Sequence, residues 1–193
     1  MRSPRCRTMI VSGTPIITQY HMRHCLLALG ALCASVARAQ DTTYVAATDF
    51  PNGRQVVALY FGAKWCTPCV QPAMKAAVRR MKPLLRDQAR QSGAAFTAIL
   101  VALDRSLENS LAFAQSLGVF DEYAFGNDIA GLPSERFIWG DADPQPGVPQ
   151  VIVGERTVLV TRGKPITFSA FQVTRRILGD SIPLWVARGA PLR

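Results

Sequence analysis

The sequence predicts an α/β fold, on three observations. Short apolar runs stand at QVVALYF (residues 55–61), rich in valine and aromatics, and at FTAILVAL (96–103) and PQVIV (149–153). Between them lie stretches whose apolar residues recur at spacings of three and four, the signature of helices packed on a sheet. The chain has 193 residues, 49% of them apolar, enough for one well-packed domain and too few to argue for two. No repeat is present, and no run reaches the roughly 18 to 20 consecutive apolar residues of a membrane-spanning helix.

The first element is a targeting segment. MRHCLLALGALCASVARAQ, from Met22, has a basic start, an apolar run of about a dozen residues and Ala37-Arg38-Ala39 as a cleavage site. Residues 1–39 are expected to be a cleaved signal peptide, with Gln40 opening a single domain over residues 40–193. The stretch before Met22 is long for such a leader, so Met22 is the alternative start. An uncleaved leader would instead be an anchor, the one route to membrane contact.

Removing the leader changes what the composition means. It holds five arginines and no acid, so the net charge falls from +9 to +4. It also holds Cys6, Cys25, Cys33 and both histidines, His21 and His24. The remainder has one C-x-x-C pair, Cys66 and Cys69, and no imidazole. Arg79, Arg80, Lys82, Arg86 and Arg90 gather on one helical stretch, which reads as a solvated face. The interleaved aromatics of a nucleic-acid site are missing there, so no nucleic-acid partner is expected.

A C-x-x-C pair can be a metal half-site, a staple or a redox centre. Structural zinc needs four Cys or His ligands. An iron–sulfur cluster needs four thiolates, and covalent haem needs C-x-x-C-H where Val70 follows Cys69. Hydrolase triads need an imidazole. A disulfide closing so small a loop stabilises little. Export favours redox chemistry, so no metal and no cofactor beyond the Cys66–Cys69 disulfide are expected.

The flanking residues suit that chemistry. QVVALYF reads as a buried strand, and Val70, Ala73, Met74, Ala77, Val78 and Met81 mark one face of a helix. Cys66 thus stands at a helix N-terminus, where unpaired N–H groups favour a thiolate. Cys69, one turn on and more buried, would resolve the mixed disulfide. Trp65 would form an apolar contact surface, and Pro68 suits a first helical turn. Pro72 and Pro83 predict kinks near Pro68 to Pro72 and near Lys82.

The later elements follow. FTAILVAL reads as a strand ending at Asp104. SLENSLAFAQSLG (106–118) reads as a helix capped by Ser106 and stopped by Gly118, with Leu107, Leu111, Ala114 and Leu117 packed on the core. Residues 119–147 are long for a connection and predict a helix around Pro133 to Trp139. The aromatics Phe120, Tyr123, Phe125, Phe137 and Trp139 there are assigned to packing. PQVIV and TVLVT flank Gly154-Glu155-Arg156, a hairpin signal. SAFQVTRRIL (169–178) reads as a closing helix, with Ser169 and Gln172 as a capping box and Gly179 as its stop.

At this point the chain resembles the thioredoxin superfamily, and the exported TlpA-like thiol–disulfide oxidoreductases most closely. The pieces that carry the resemblance are VVALYFGAKWCTPC, the strand ending in ALD, GVPQVIV, and a hairpin followed by a helix. The resemblance implies a three-layer α/β/α fold with a central mixed sheet and a C-terminal β-hairpin plus helix. It implies a cis Val148-Pro149 bond opposite the dithiol, and substrate contacts at Trp65, Thr67, Pro68, Val148 and Pro149. Asp143-Pro144-Gln145-Pro146-Gly147 reads as a turn-rich loop that would shape partner choice.

Two departures stand out. Thioredoxins keep a buried acid six residues before the first cysteine, where this chain has Tyr60. Some exported reductases keep a glutamate three residues after the second cysteine, where this chain has Pro72. The proton acceptor for Cys69 is therefore left unassigned, with water or Asp104 as alternatives.

The expected function is an exported, periplasmic thiol–disulfide oxidoreductase that reduces protein disulfides. Its partners would be exported cysteine-containing proteins and a membrane or periplasmic thiol electron donor. Thr67-Pro68 between the cysteines resembles the x-Pro pairs of reducing members. An isomerase or oxidase, or a binding or assembly module with an incidental dithiol, is the alternative.

Overall fold

The computed structural model describes residues 51–126, 128–140 and 146–192. The leader, with Met22, its three cysteines and both histidines, lies outside the described residues, as do Asp143, Pro144 and Gln145.

Strand β1 (Gly53–Gly62) is the centre of the sheet. Its residues from Val56 to Phe61 are at most 7% exposed, as expected of an apolar run covered on both faces. Parallel to it runs β2 (Ala95–Ala102), and parallel to β2 the short edge strand β3 (Glu122–Ala124). On its other side β1 pairs antiparallel with β4 (Gln150–Leu159). The outer edge of β4 carries β6 (Gln172–Leu178) over Gln150 to Glu155 and β5 (Thr167–Phe168) over Val158 and Leu159. The sheet is mixed, in the order β3-β2-β1-β4-β5.

The register places the helices. Val56 pairs with Phe96 and Tyr60 with Leu100, so these side chains share one face. On that face Arg86 of α2 (Pro72–Gln91) lies over the Phe96 ring, and Phe113 of α3 (Leu107–Leu117) stacks on Tyr60 at 6.4 Å. Helix α5 (Ser181–Ala187) joins this layer through Gln88, which donates to Gly189 O and Ala190 O. On the opposite face Phe61 meets Phe137, which packs edge-on against Phe171. Phe137 belongs to a π-helical turn (Glu135–Trp139) that follows α4 (Leu132–Ser134). The expected helical segment in residues 119–147 lies there, whereas β3 was not foreseen.

The prolines act unequally. Thr67–Val70 forms a short helix, α1, which ends at Gln71 with ψ 139° before Pro72 opens α2. Pro72 disfavours helical backbone in the residue before it, hence the break. Pro83 lies inside α2, which runs on past it as one element. Met74, Ala77, Val78 and Met81 form the buried face as expected, but Ala73 is exposed and Lys82 is buried.

Three expectations are corrected. No turn occurs at Gly154-Glu155-Arg156: β4 runs straight through it. Gly154 serves close approach instead, because a Cβ there would clash with the Phe171 ring and lie 2.5 Å from Gln172 O, beside a register shift in the β4–β6 pairing. Next, QVTRRIL is strand β6, not a helix. Pairing with β4 buries Ile177 and lets Thr174 Oγ donate to Val153 O, and such tertiary pairing overrides a local helical pattern. Ser169 accepts the Thr157 N–H rather than capping a helix. The C-terminal hairpin is thus β4 with β6, and the closing helix is α5. Finally, α3 turns Ser110, Phe113, Ala114 and Leu117 inward and leaves Leu107 and Leu111 exposed. Phe113 on Tyr60, and Ser110 Oγ donating to Asp104 O, fix that rotation. Ser106 caps α3 and Gly118, with φ 79°, ends it.

Lys82 departs from the solvated basic face. It is 7% exposed, its Nζ donates to Leu117 O at 3.2 Å and Val119 O at 2.5 Å, and it sits 4.0 Å from the Phe120 ring centroid. It thereby ties down carbonyls at the C-terminal end of α3, which lack helical donors. Burial lowers its pKa from 10.5 to about 8, with Asp121 opposing and Arg86 and Arg79 adding to the shift. The unfolded chain then binds the extra proton between about pH 8 and 10.5, so this group's contribution to stability rises with pH across that window. The stability difference between wild type and Lys82→Met is expected to move toward wild type by about 2 kcal/mol from about pH 7.5 to about pH 10. Urea unfolding at the two pH values measures it, and a pH-independent difference contradicts it.

Candidate active site

The C-terminal end of β1 delivers the chain into the site. Its neighbour strand holds the turn that follows: Leu103 N–H donates to Gly62 O, and both Asp104 carboxylate oxygens accept the Lys64 N–H at 3.1 and 3.0 Å. Asp104 is 2% exposed. Trp65 donates its indole N–H to Leu103 O at 3.2 Å while its side chain stays 57% exposed. The tryptophan is therefore oriented from below and still presents apolar surface beside the cysteines.

Cys66 is the N-cap of α1 and is disulfide-bonded to Cys69. Its Sγ accepts the Cys69 N–H at 3.2 Å and lies 3.6 Å from Val148 O. Cys66 is 4% exposed and Cys69 fully buried, so the outer sulfur is the one a partner can reach. Support for a Cys66 thiolate comes from this local N–H. Helix-end effects fall off within the first turn, and the break at Gln71 separates α1 from the long α2. Thr67 and Pro68 are exposed between the cysteines.

The Val148–Pro149 bond is cis, Pro149 is buried and Val148 half-buried. Pro149 stands just ahead of β4, and its carbonyl accepts the Gly179 N–H at 2.9 Å. All seven expected site residues, Trp65, Thr67, Pro68, Val148 and Pro149 with the two cysteines, come from two chain segments brought together by β1–β4 pairing. Pro146 and Gly147 are the described end of the turn-rich loop. Sequence reasoning missed the Asp104–Lys64 and Trp65–Leu103 bonds, and the only signal was Asp104 at a strand end.

The two departures have structural outcomes. Pro72 is exposed at the start of α2. Tyr60 is fully buried, and among the described residues its hydroxyl has no hydrogen-bond partner. Burial pushes its pKa far above the usual 10. It stays protonated at neutral pH and cannot accept the Cys69 proton. An unpaired buried hydroxyl contributes no hydrogen bond to lose. Tyr60→Phe is thus expected to leave stability unchanged or raise it by about 1 kcal/mol in urea unfolding. A loss of that size or more would mean that the hydroxyl has a partner.

Among the described residues, no group of three or more His, Cys, Asp or Glu side chains could hold a metal ion, and no helix is long and apolar enough to cross a membrane.

No family model matches the chain, and no curated protein matches it. Among solved structures it is similar to a tryparedoxin-I mutant at 11% identity, over 70% of this chain and 76% of that one, with a TM-score of 0.42. A thiol:disulfide interchange protein from Bacteroides sp. matches at 14% identity over 69% and 72%, with a TM-score of 0.38. A secreted Mycobacterium tuberculosis disulfide oxidoreductase homologous to E. coli DsbE matches at 14% identity over 70% and 80%, with a TM-score of 0.35. From its own strand order, its dithiol after the central strand and Pro149 at the head of β4, the chain has a thioredoxin-like α/β fold.

Proposed function

We propose that the protein is an exported thiol–disulfide oxidoreductase that reduces protein disulfides. One observation carries the reading: a C-x-x-C disulfide whose outer sulfur accepts a helix-start N–H and lies beside the backbone of Val148. In the reduced protein the Cys66 thiolate attacks a substrate disulfide, forming one S–S bond and expelling one substrate thiolate. Cys69 gives up its thiol proton, which passes through solvent to the expelled substrate thiolate, and then attacks Cys66, releasing the second substrate thiolate and closing the Cys66–Cys69 disulfide. Two electrons pass to substrate, and a thiol donor of the cell envelope restores the dithiol. The steps balance without a metal or organic cofactor. Residues 1–39 act as the export signal, residues 40–193 as the periplasmic domain, and exported cysteine-containing proteins as substrates.

Dithiothreitol-driven reduction of a protein disulfide tests the reading. Wild type is expected to accelerate it, and Cys66→Ser to abolish the acceleration. Acceleration that persists in Cys66→Ser would contradict the assignment.

A further inference from the structure

A groove of about 350 Å³ opens beside the dithiol, and the exchange chemistry above does not use it. One wall is the active-site turn, with Thr67 and Pro68, continued by Gln71 and Met74. The other is Asp180 and Pro183 at the start of α5. The second wall is tied to the far side of the dithiol, because Gly179 donates its N–H to Pro149 O. With Cys66 Sγ facing Val148 O, the turns at Thr67–Pro68, Val148–Pro149 and Gly179–Asp180 form a common rim around the attacking sulfur.

The groove's chemistry is specific. Among the described residues that line it, Asp180 alone is ionisable. It is exposed, its side chain makes no capping bond to α5, and no described residue pairs with its carboxylate. Pro68, Ala73 and Pro183 supply apolar lining beside it, with the nearly buried Met74, and Thr67 and the Gln71 carboxamide are its neutral polar residues. Neutral, partly apolar walls beside a carboxylate match a side chain with an aliphatic stem and a cationic head. They do not match an acidic or short polar one.

We infer that this groove receives a lysine or arginine side chain close to the substrate's reacting cysteine, so that Asp180 selects disulfides lying in basic segments. The inference rests on the disulfide-exchange reading and adds the class of substrate. An exposed pair of this kind is weak in absolute terms, so it acts as a selectivity of a few-fold.

The test compares two disulfide-linked peptides that differ only in one residue beside the cysteine, lysine or glutamate, reduced by the reduced protein at low ionic strength. The ratio of their rates is the readout, since a general loss of activity cancels from it. Wild type is expected to favour the lysine peptide by about three- to fivefold. Asp180→Asn is expected to bring the ratio near one, Asp180→Glu to retain the preference and Asp180→Lys to reverse it. Half-molar salt is expected to shrink it. Equal rates in wild type, or a preference that survives Asp180→Asn, overturn the inference. If wild type fails to reduce even the small neutral hydroxyethyl disulfide, the exchange reading falls and takes this inference with it.

Discussion

Cys69→Ser protein, mixed with exported cysteine-containing proteins, is expected to accumulate as mixed disulfides on Cys66. Cys66 carries the sulfur that accepts the Cys69 N–H and faces Val148, whereas Cys69 is fully buried. Attack by Cys66 therefore remains intact in the variant. The step that is lost is intramolecular, between groups one helical turn apart. External thiol cannot match the effective molarity of such a neighbour, so turnover is expected to fall by more than about two orders of magnitude. Non-reducing electrophoresis of the captured species reads the result. Cys66→Ser should trap nothing, because the remaining sulfur is shielded. Equal trapping by both single variants would contradict the assignment of Cys66 as the attacking cysteine, trapping by Cys66→Ser alone would reverse the roles, and partner binding that survives loss of both would favour an assembly module.

Gly154→Ala is expected to destabilise the fold by about 2–3 kcal/mol. Gly154 sits in β4 at the register shift opposite β6. A methyl group there would meet the Phe171 ring and the Gln172 carbonyl. A ring can swing aside, but the carbonyl belongs to β6 and moves only with its strand. The displacement would also disturb Phe171 against Phe137. Urea unfolding measures the loss, and a change below about 0.5 kcal/mol would show that β6 yields freely.

This glycine shows where the sequence becomes hard to read. Between two valine-rich runs it has the form of a turn, yet glycine also stands where two backbones approach closely, and only the position of β6 decides between them. The same distance in sequence hid β6 itself. SAFQVTRRIL carries a capping-box pattern and a glycine stop, and only its partner β4 makes QVTRRIL a strand. Lys82 leaves the expected solvated face for the same reason, since its acceptors are Leu117 O at the end of another helix and Val119 O just beyond it. The elements that were legible carry their own local signals. β1 and β2 are unbroken apolar runs, and α3 is bounded by a serine cap and a glycine with positive φ. The dithiol was legible because residues adjacent in sequence form it. Asp180, over a hundred residues away, reaches the same rim only through the β4–β6 pairing and the Gly179–Pro149 hydrogen bond.

The reduction potential of the Cys66–Cys69 pair tests the central claim most directly. Redox equilibration with a glutathione or dithiothreitol buffer at pH 7, read by thiol alkylation, measures it. A reductase with Thr67-Pro68 between its cysteines is expected to lie nearer thioredoxin, at about −270 mV, than the strong oxidant DsbA, at about −120 mV. A value close to the latter would contradict reduction of substrates and assign the protein to disulfide formation.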